Sequence, residues 1–296
     1  KPLWKKPWFY FFLAAMLIFI TYMIIMWRTR ALKTSQMLLQ IKIKQKTFFF
    51  QKEKEEVEKI KVMLENKNKD VTDSINYAKR IQDSLLPPDE TLNELFDENY
   101  FIFYRPKDIV SGDFYWAARV ETGGEKSRTL SLAAVADCTG HGVPGAFLSI
   151  VANSFLKQSL TEKFVNNTGD VLDYLNKNIT ATLNPSSKMK NRISDGMDLA
   201  IIAIDYKLNK LHYAGANNSV YIYRKDESDT RLYVLNPTKQ AIGSVSGNIV
   251  PYESQIFDLQ AGDTIYMFSD GFADQFGGEK DKKLNYRRFK EILANA

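Results

Sequence analysis

Hydrophobic and polar positions divide the chain into three stretches with different periods. Trp8 to Trp27 is a run of twenty residues without a charge, long enough to cross a hydrocarbon layer of ~30 Å as a helix, with Trp and Tyr at its ends as in interfacial belts. A cleaved signal peptide fits less well, because the run is too long and no small-residue cleavage site precedes Arg28. From Leu32 to Leu85 the pattern is helical and Pro-free, and steps of seven from Ile43 reach Phe50, Val57, Leu64, Val71, Ala78 and Leu85. The companion series Leu32, Leu39, Lys46, Glu53, Ile60, Lys67, Ser74 and Ile81 is only half apolar. One good seam beside a poor one predicts a marginal coiled coil, a parallel dimer rising from the membrane; a plain solvated linker helix is the alternative.

Pro87-Pro88 ends that helix, and short strand patterns with turn signals follow. The predicted strands are 100–105, 113–120, 130–137, 197–206, 210–214, 220–224, 232–235, 249–259 and 263–269. Helical stretches at 143–160 and 169–183 separate the third strand from the fourth, and another covers 286–293. Hairpin-length turns such as Leu208-Asn209 and Ala216-Asn217-Asn218 favour antiparallel pairing. Two sheets with helices outside make an α+β sandwich. The domains predicted are a juxtamembrane and transmembrane helix over 1–27, a cytoplasmic coiled-coil helix over 28–86 and a folded domain over 87–296.

Charge orients this layout. Between Arg28 and Lys69 twelve bases face five acids, and that excess beside the apolar span predicts a cytoplasmic side for residue 28 onward. No DNA-binding motif or aromatic-interleaved basic surface accompanies it, so no nucleic-acid partner is expected. The single cysteine, Cys138, excludes an internal disulfide and a multi-cysteine metal site. The chain starts at Lys1, so further upstream sequence is expected.

The candidate chemistry centres on Asp137. The run Leu132-Ala-Ala-Val-Ala-Asp137-Cys138-Thr-Gly140-His141-Gly142-Val-Pro144-Gly145 is an apolar strand ending on a carboxylate, then a Gly turn, then a helix with Pro144 in its first turn. An acid here can hold a hard cation or cap the helix. Two further aspartates share the setting: Asp113 in Val110-Ser-Gly112-Asp113-Phe-Tyr, and Asp270 in Tyr266-Met-Phe-Ser269-Asp270-Gly271. Three Gly-flanked aspartates at strand ends are hard to explain as caps. Oxygen donors without clustered thiolate or imidazole select Mg²⁺ or Mn²⁺ over zinc, and two such ions can activate water and clamp the oxygens of an in-line displacement at phosphorus.

These three motifs, in this order and spacing, resemble the SpoIIE-type branch of the metal-dependent, protein phosphatase 2C-like serine/threonine phosphatases. The segment Ser74 to Pro87 resembles the helix leading into that domain in membrane-attached members. The resemblance, over roughly residues 72–290, implies a four-layer αββα sandwich of two antiparallel sheets and two Mn²⁺ or Mg²⁺ ions. It implies a protein-serine/threonine phosphatase, a two-metal phosphomonoester hydrolase. The expected substrate is a phosphoprotein resembling anti-sigma-factor antagonists and other partner-switching proteins.

Carried over by residue, the metal ligands are Asp113 (directly or through a water), Asp137 bridging both ions, the Cys138 carbonyl, and Asp270; all three aspartates act catalytically through water held on the metals. The Cys138 side chain is read as packing. His141 is a candidate general acid or a turn residue bonded to backbone. Asp198 and Asn217 support the ligands or belong to turns. Arg105 and Lys107 contact the substrate phosphate or are solvated. The expected location is the bacterial inner membrane, single-pass, with the catalytic domain cytoplasmic and the coiled coil joining a parallel homodimer. The family pattern adds an acidic turn and a strand after the last helix, so the chain reads as truncated at its C-terminus, and Asp274 and Asp281 are poor replacements for that ligand. The rival reading is a non-catalytic signalling module that binds a regulatory partner through the same fold.

Overall fold

A computed structural model of the 296-residue chain describes residues 2–122, 128–160, 167–184, 195–225, 230–243, 249–278 and 281–294. Two units are distinguished, Lys1–Val71 and Thr72–Ala296. Within the first, helix α1 (Pro7–Asp83, continuing into the second unit) carries an apolar segment of mean hydropathy 2.4, and this is the one helix among the described residues long and apolar enough to cross a membrane. Val57, Leu64 and Val71 of the heptad seam are exposed.

The second unit takes in the end of α1, where Gln82 is buried, and Leu86 just after it packs on the core. It continues through α2 (Asp89–Phe96), β1 (Phe114–Thr122), β2 (Arg128–Cys138), α3 (Val143–Ser159), α4 (Thr168–Leu183), β3 (Met197–Asp205), β4 (Lys210–Ala216), β5 (Val220–Lys225), β6 (Thr230–Leu235), β7 (Gln255–Asp258), β8 (Thr264–Tyr266), β9 (Phe276–Gly277), β10 (Lys282–Lys283) and α5 (Asn285–Ala294). Antiparallel pairing joins the strands as β1-β2-β3-β4-β7, β6-β5-β8 and β10-β9.

Side-chain alternation builds the layers. Leu132, Ala134 and Ala136 of β2 and Leu199, Ile201 and Ala203 of β3 join Leu156, Leu172 and Leu175 of α3 and α4 in one apolar core. The intervening Ala200, Ile202 and Ile204 meet Val220 and Ile222 of β5 between the sheets. Tyr221 and Tyr223, on the far face of β5, pack on Phe289 of α5. Helices, five-stranded sheet, three-stranded sheet and helix are thus stacked in four layers, the expected α+β sandwich of antiparallel sheets.

Predicted strands 100–105, 249–259 and 263–269 differ, the last being shortened to β8. Residues 100–105 run without a ladder; Phe101 and Phe103 make edge-on ring contacts with Tyr266 and Phe272, so side chains rather than backbones meet there. Of 249–259 only Gln255–Asp258 pairs, since the preceding backbone is claimed by side chains: Gln240 bonds both the Val250 N–H and C=O, Asp173 accepts from the Tyr252 N–H, and Thr238 Oγ1 accepts from the Glu253 N–H. Helix α2 was not expected so close to Pro87-Pro88. Pro88 is its extended N-cap, and Asp89 and Glu90 in the first turn suit the positive end of the helix dipole.

Candidate metal and phosphate site

The alternation that sends Ala134, Ala136 and Cys138 into the helix-side core turns Asp137 toward the second sheet. Asp198 lies directly opposite in the β2–β3 register, on the face of Ala200 and Ile202. Asp113 immediately precedes β1, whose Phe114 and Trp116 face the helix-side core, so Asp113 shares the parity of Asp137. Asp270 arrives from the other sheet. Its ladder ends at Tyr266, earlier than the expected 263–269, and the chain then turns, the Asp274 N–H donating to the Asp270 carbonyl at 2.9 Å.

Several bonds fix these positions. Ser269 Oγ donates to Asp113 Oδ2 at 2.6 Å, and the Tyr104 hydroxyl donates to the Asp113 carbonyl at 3.1 Å. Asn218 Nδ2 donates to the Phe268 carbonyl at 2.7 Å, holding the approach to Asp270 against the β4–β5 turn. The turn after Asp137 is pinned to β3 by Thr139, whose Oγ1 accepts from the Gly196 N–H at 2.8 Å. Gly112 packs between two carbonyls, and a Cβ there would lie 2.9 Å from the oxygens of both Cys138 and Gly140. At Gly145, in the first turn of α3, a Cβ would stand 2.3 Å from the Gly140 oxygen, so only glycine lets α3 start this close to the turn.

The electrostatics describe an acidic pocket. Asp137 is pushed up to about 8, by burial first, then by the charges of Asp113 and Asp270 and hydrogen bonding to their carboxyls. Among the described residues no cation is a cause of that shift. Asp198 is raised by burial and by Asp270, against the lowering effect of Asn217 Nδ2, which donates to Asp198 Oδ1 at 2.8 Å. Burial pushes the Cys138 thiol far up, so it is a packed neutral side chain, as expected. Among the described residues no three His, Cys, Asp or Glu side chains already close into a metal cage; mutual repulsion of like charges opposes such closure. The donor chemistry nevertheless fits a hard divalent cation: Asp113, Asp137 and Asp270 present carboxylates on one face, and positive charge there would offset the burial and like-charge effects that raise Asp137.

The structure brings together Asp113, Asp137, Asp198, Asn217 and Asp270. His141 lies on the exposed turn along the same groove, its Nδ1 3.0 Å from Asp108 Oδ2. Arg105 and Lys107 are exposed and line the same groove as Asp113, Asp137 and Asp270. Sequence reading missed Ser269 and Asp108. Ser269 adjoins Asp270 and so had a local signal, whereas Asp108 lies in a polar loop with none.

A family model described as stage II sporulation protein E (SpoIIE) matches residues 128–296. Among solved structures, the SiaA-PP2C domain of Pseudomonas aeruginosa aligns at 28% identity with a TM-score of 0.64, covering 77% of this chain and 83% of that one. The PP2C phosphatase domain with a regulatory fragment of SpoIIE from Bacillus subtilis aligns at 24% identity and TM-score 0.41, covering 55% and 41%. A serine/threonine phosphatase of S. agalactiae aligns at 17% identity and TM-score 0.42, covering 66% and 90%. Comparison with curated proteins returns no match.

Proposed function

Because this chain belongs to the SpoIIE family and has a protein phosphatase 2C-like α+β fold, we propose that it is a membrane-anchored, metal-dependent protein serine/threonine phosphatase of bacterial signal transduction. Its substrate is a phosphoserine or phosphothreonine on a partner-switching protein. The observation that carries the reading is the convergence of Asp113 and Asp270 on Asp137. Two Mn²⁺ or Mg²⁺ ions, when bound, supply a water nucleophile and neutralise charge in attack at phosphorus. Asp113, Asp137, Asp270 and the Cys138 carbonyl are the groups that would hold these ions.

Around that centre the chain's own groups have distinct tasks. Ser269 and Tyr104 orient Asp113, and Asn217 orients Asp198. His141, paired with Asp108 on the exposed turn, would be the proton donor to the departing serine oxygen. Arg105 and Lys107 supply positive charge along the groove by which a phosphate would arrive. The Trp8–Trp27 segment anchors the chain in the inner membrane, the phosphatase domain is cytoplasmic, and the α1 seam makes a parallel dimer.

Titration of the full chain with Mn²⁺ by calorimetry separates enzyme from binding module. Binding that is lost in both Asp137→Asn and Asp270→Asn supports the phosphatase; undiminished binding in these variants, or no binding by the parent, rejects it.

A further inference from the structure

The last turn of α1 contains a buried carboxamide for which sequence patterning offers no reason. Gln82 is 4% exposed. Its Oε1 accepts from the Ser111 N–H at 3.0 Å, and its Nε2 donates to the Ser111 carbonyl at 2.6 Å and to Ser149 Oγ at 2.8 Å. The amide therefore pairs with Ser111 as a neighbouring strand would, satisfying both backbone groups of a residue that is itself buried. Ser149 Oγ in turn donates to the Ala146 carbonyl at 2.8 Å, in the first turns of α3.

The two walls held by this one side chain are the two that carry the acidic centre. Ser111 is followed by Gly112, seated on the carbonyls of Cys138 and Gly140, and then by Asp113. Ser149 belongs to the helix that begins directly after the Asp137-to-Gly142 turn. We propose that Gln82 is a positioning residue: it sets the spacing between the Asp113 segment and α3, and through it the separation of Asp113 from Asp137 and the Cys138 carbonyl, on which cation affinity depends. This rests on the metal-dependent reading above. Its physical basis is that a fully satisfied buried polar network specifies one geometry, while removing one member strands the others.

The test uses the full chain, with Gln82→Met (similar volume, no hydrogen bonds) and Asn153→Ala as a control. Asn153 bonds the Leu85 carbonyl at the same helix end but does not touch Ser111. Two readouts are taken: amide hydrogen exchange of Gly112 and Asp113 in metal-free protein, and Mn²⁺ affinity by calorimetry. Gln82→Met is expected to speed exchange at those amides and to weaken Mn²⁺ binding ~10-fold, in the range found when groups behind metal ligands are removed; Asn153→Ala should do neither. If Gln82→Met does not fold, Ser149→Ala, which removes one of the three bonds, should give the same changes at smaller size. Unchanged exchange and affinity, or equal effects from Asn153→Ala, overturn the proposal. A parent chain that binds no Mn²⁺ overturns the metal-dependent reading itself, and the exchange result then still reports whether Gln82 orders the segment.

Discussion

Ser269 donates its hydroxyl to Asp113 across 2.6 Å although the two lie 156 residues apart, one beside each sheet. The bond joins the strand-end acid of the five-stranded sheet to the segment that delivers Asp270. Ser269→Ala should leave the fold intact and weaken Mn²⁺ binding ~10-fold, since a carboxylate deprived of its orienting donor loses its preset direction. Calorimetric titration beside a thermal melt checks both parts.

Gly112→Ala places a methyl 2.9 Å from two backbone oxygens, one of them on Cys138. Overpacking of this kind costs about 1–3 kcal/mol, and here the atoms that must yield include a proposed metal ligand. Phosphate release should therefore fall by far more than the melting temperature indicates. An active, merely less stable variant would place the Cys138 carbonyl outside the site.

Asp263 is an ion pair set away from the centre. Its carboxylate is 1% exposed and bonds Arg224 at 2.7 Å. Burial alone would raise it, but the Arg224 hydrogen bonds and charge and the Gln260 N–H outweigh burial and hold it below the usual carboxylate range. A depressed folded pKa gives stability that is present above the unfolded value of about 3.9 and is lost as pH falls through the folded one. Asp263→Asn should cost about 3 kcal/mol at pH 7, at the low end for a broken buried pair because Arg224 keeps the Asp258 carbonyl and the rings of Tyr233 and Phe257. The gap between parent and variant in urea denaturation should narrow below pH 4.

The predicted dimer is testable because Cys138 is the single cysteine and is buried. Leu64→Cys, in the heptad seam, should form an oxidative cross-link in membranes, whereas Asn66→Cys, about 200° away around the helix, should not. Equal cross-linking would mean that α1 does not pair along this seam.

What the sequence disclosed depended on how local the signal was. Asp137 and Asp270 were legible because each ends an apolar run beside glycine, and the α3 start was legible from Gly142 and Pro144. The β2 and β3 faces followed from alternation. The link from Ser269 to Asp113, the grip of Gln82 on Ser111 and the place of Asp198 opposite Asp137 depend on sheet register and on layers meeting, which no short window contains. The 100–105 segment shows the opposite failure: its apolar pattern is strand-like, yet it forms no ladder and meets its neighbours through side chains, Phe101 on Tyr266 and Phe103 on Phe272.

The central claim is phosphatase chemistry centred on Asp137, and the most direct measurement is inorganic phosphate released from a phosphoserine protein by the full chain with and without Mn²⁺. The expected result is release that requires Mn²⁺ and falls at least ~10³-fold in Asp137→Asn, the loss of a shared metal ligand removing charge stabilisation worth several kcal/mol. Release that persists in Asp137→Asn, or that is as fast in chelator as in Mn²⁺, would contradict it.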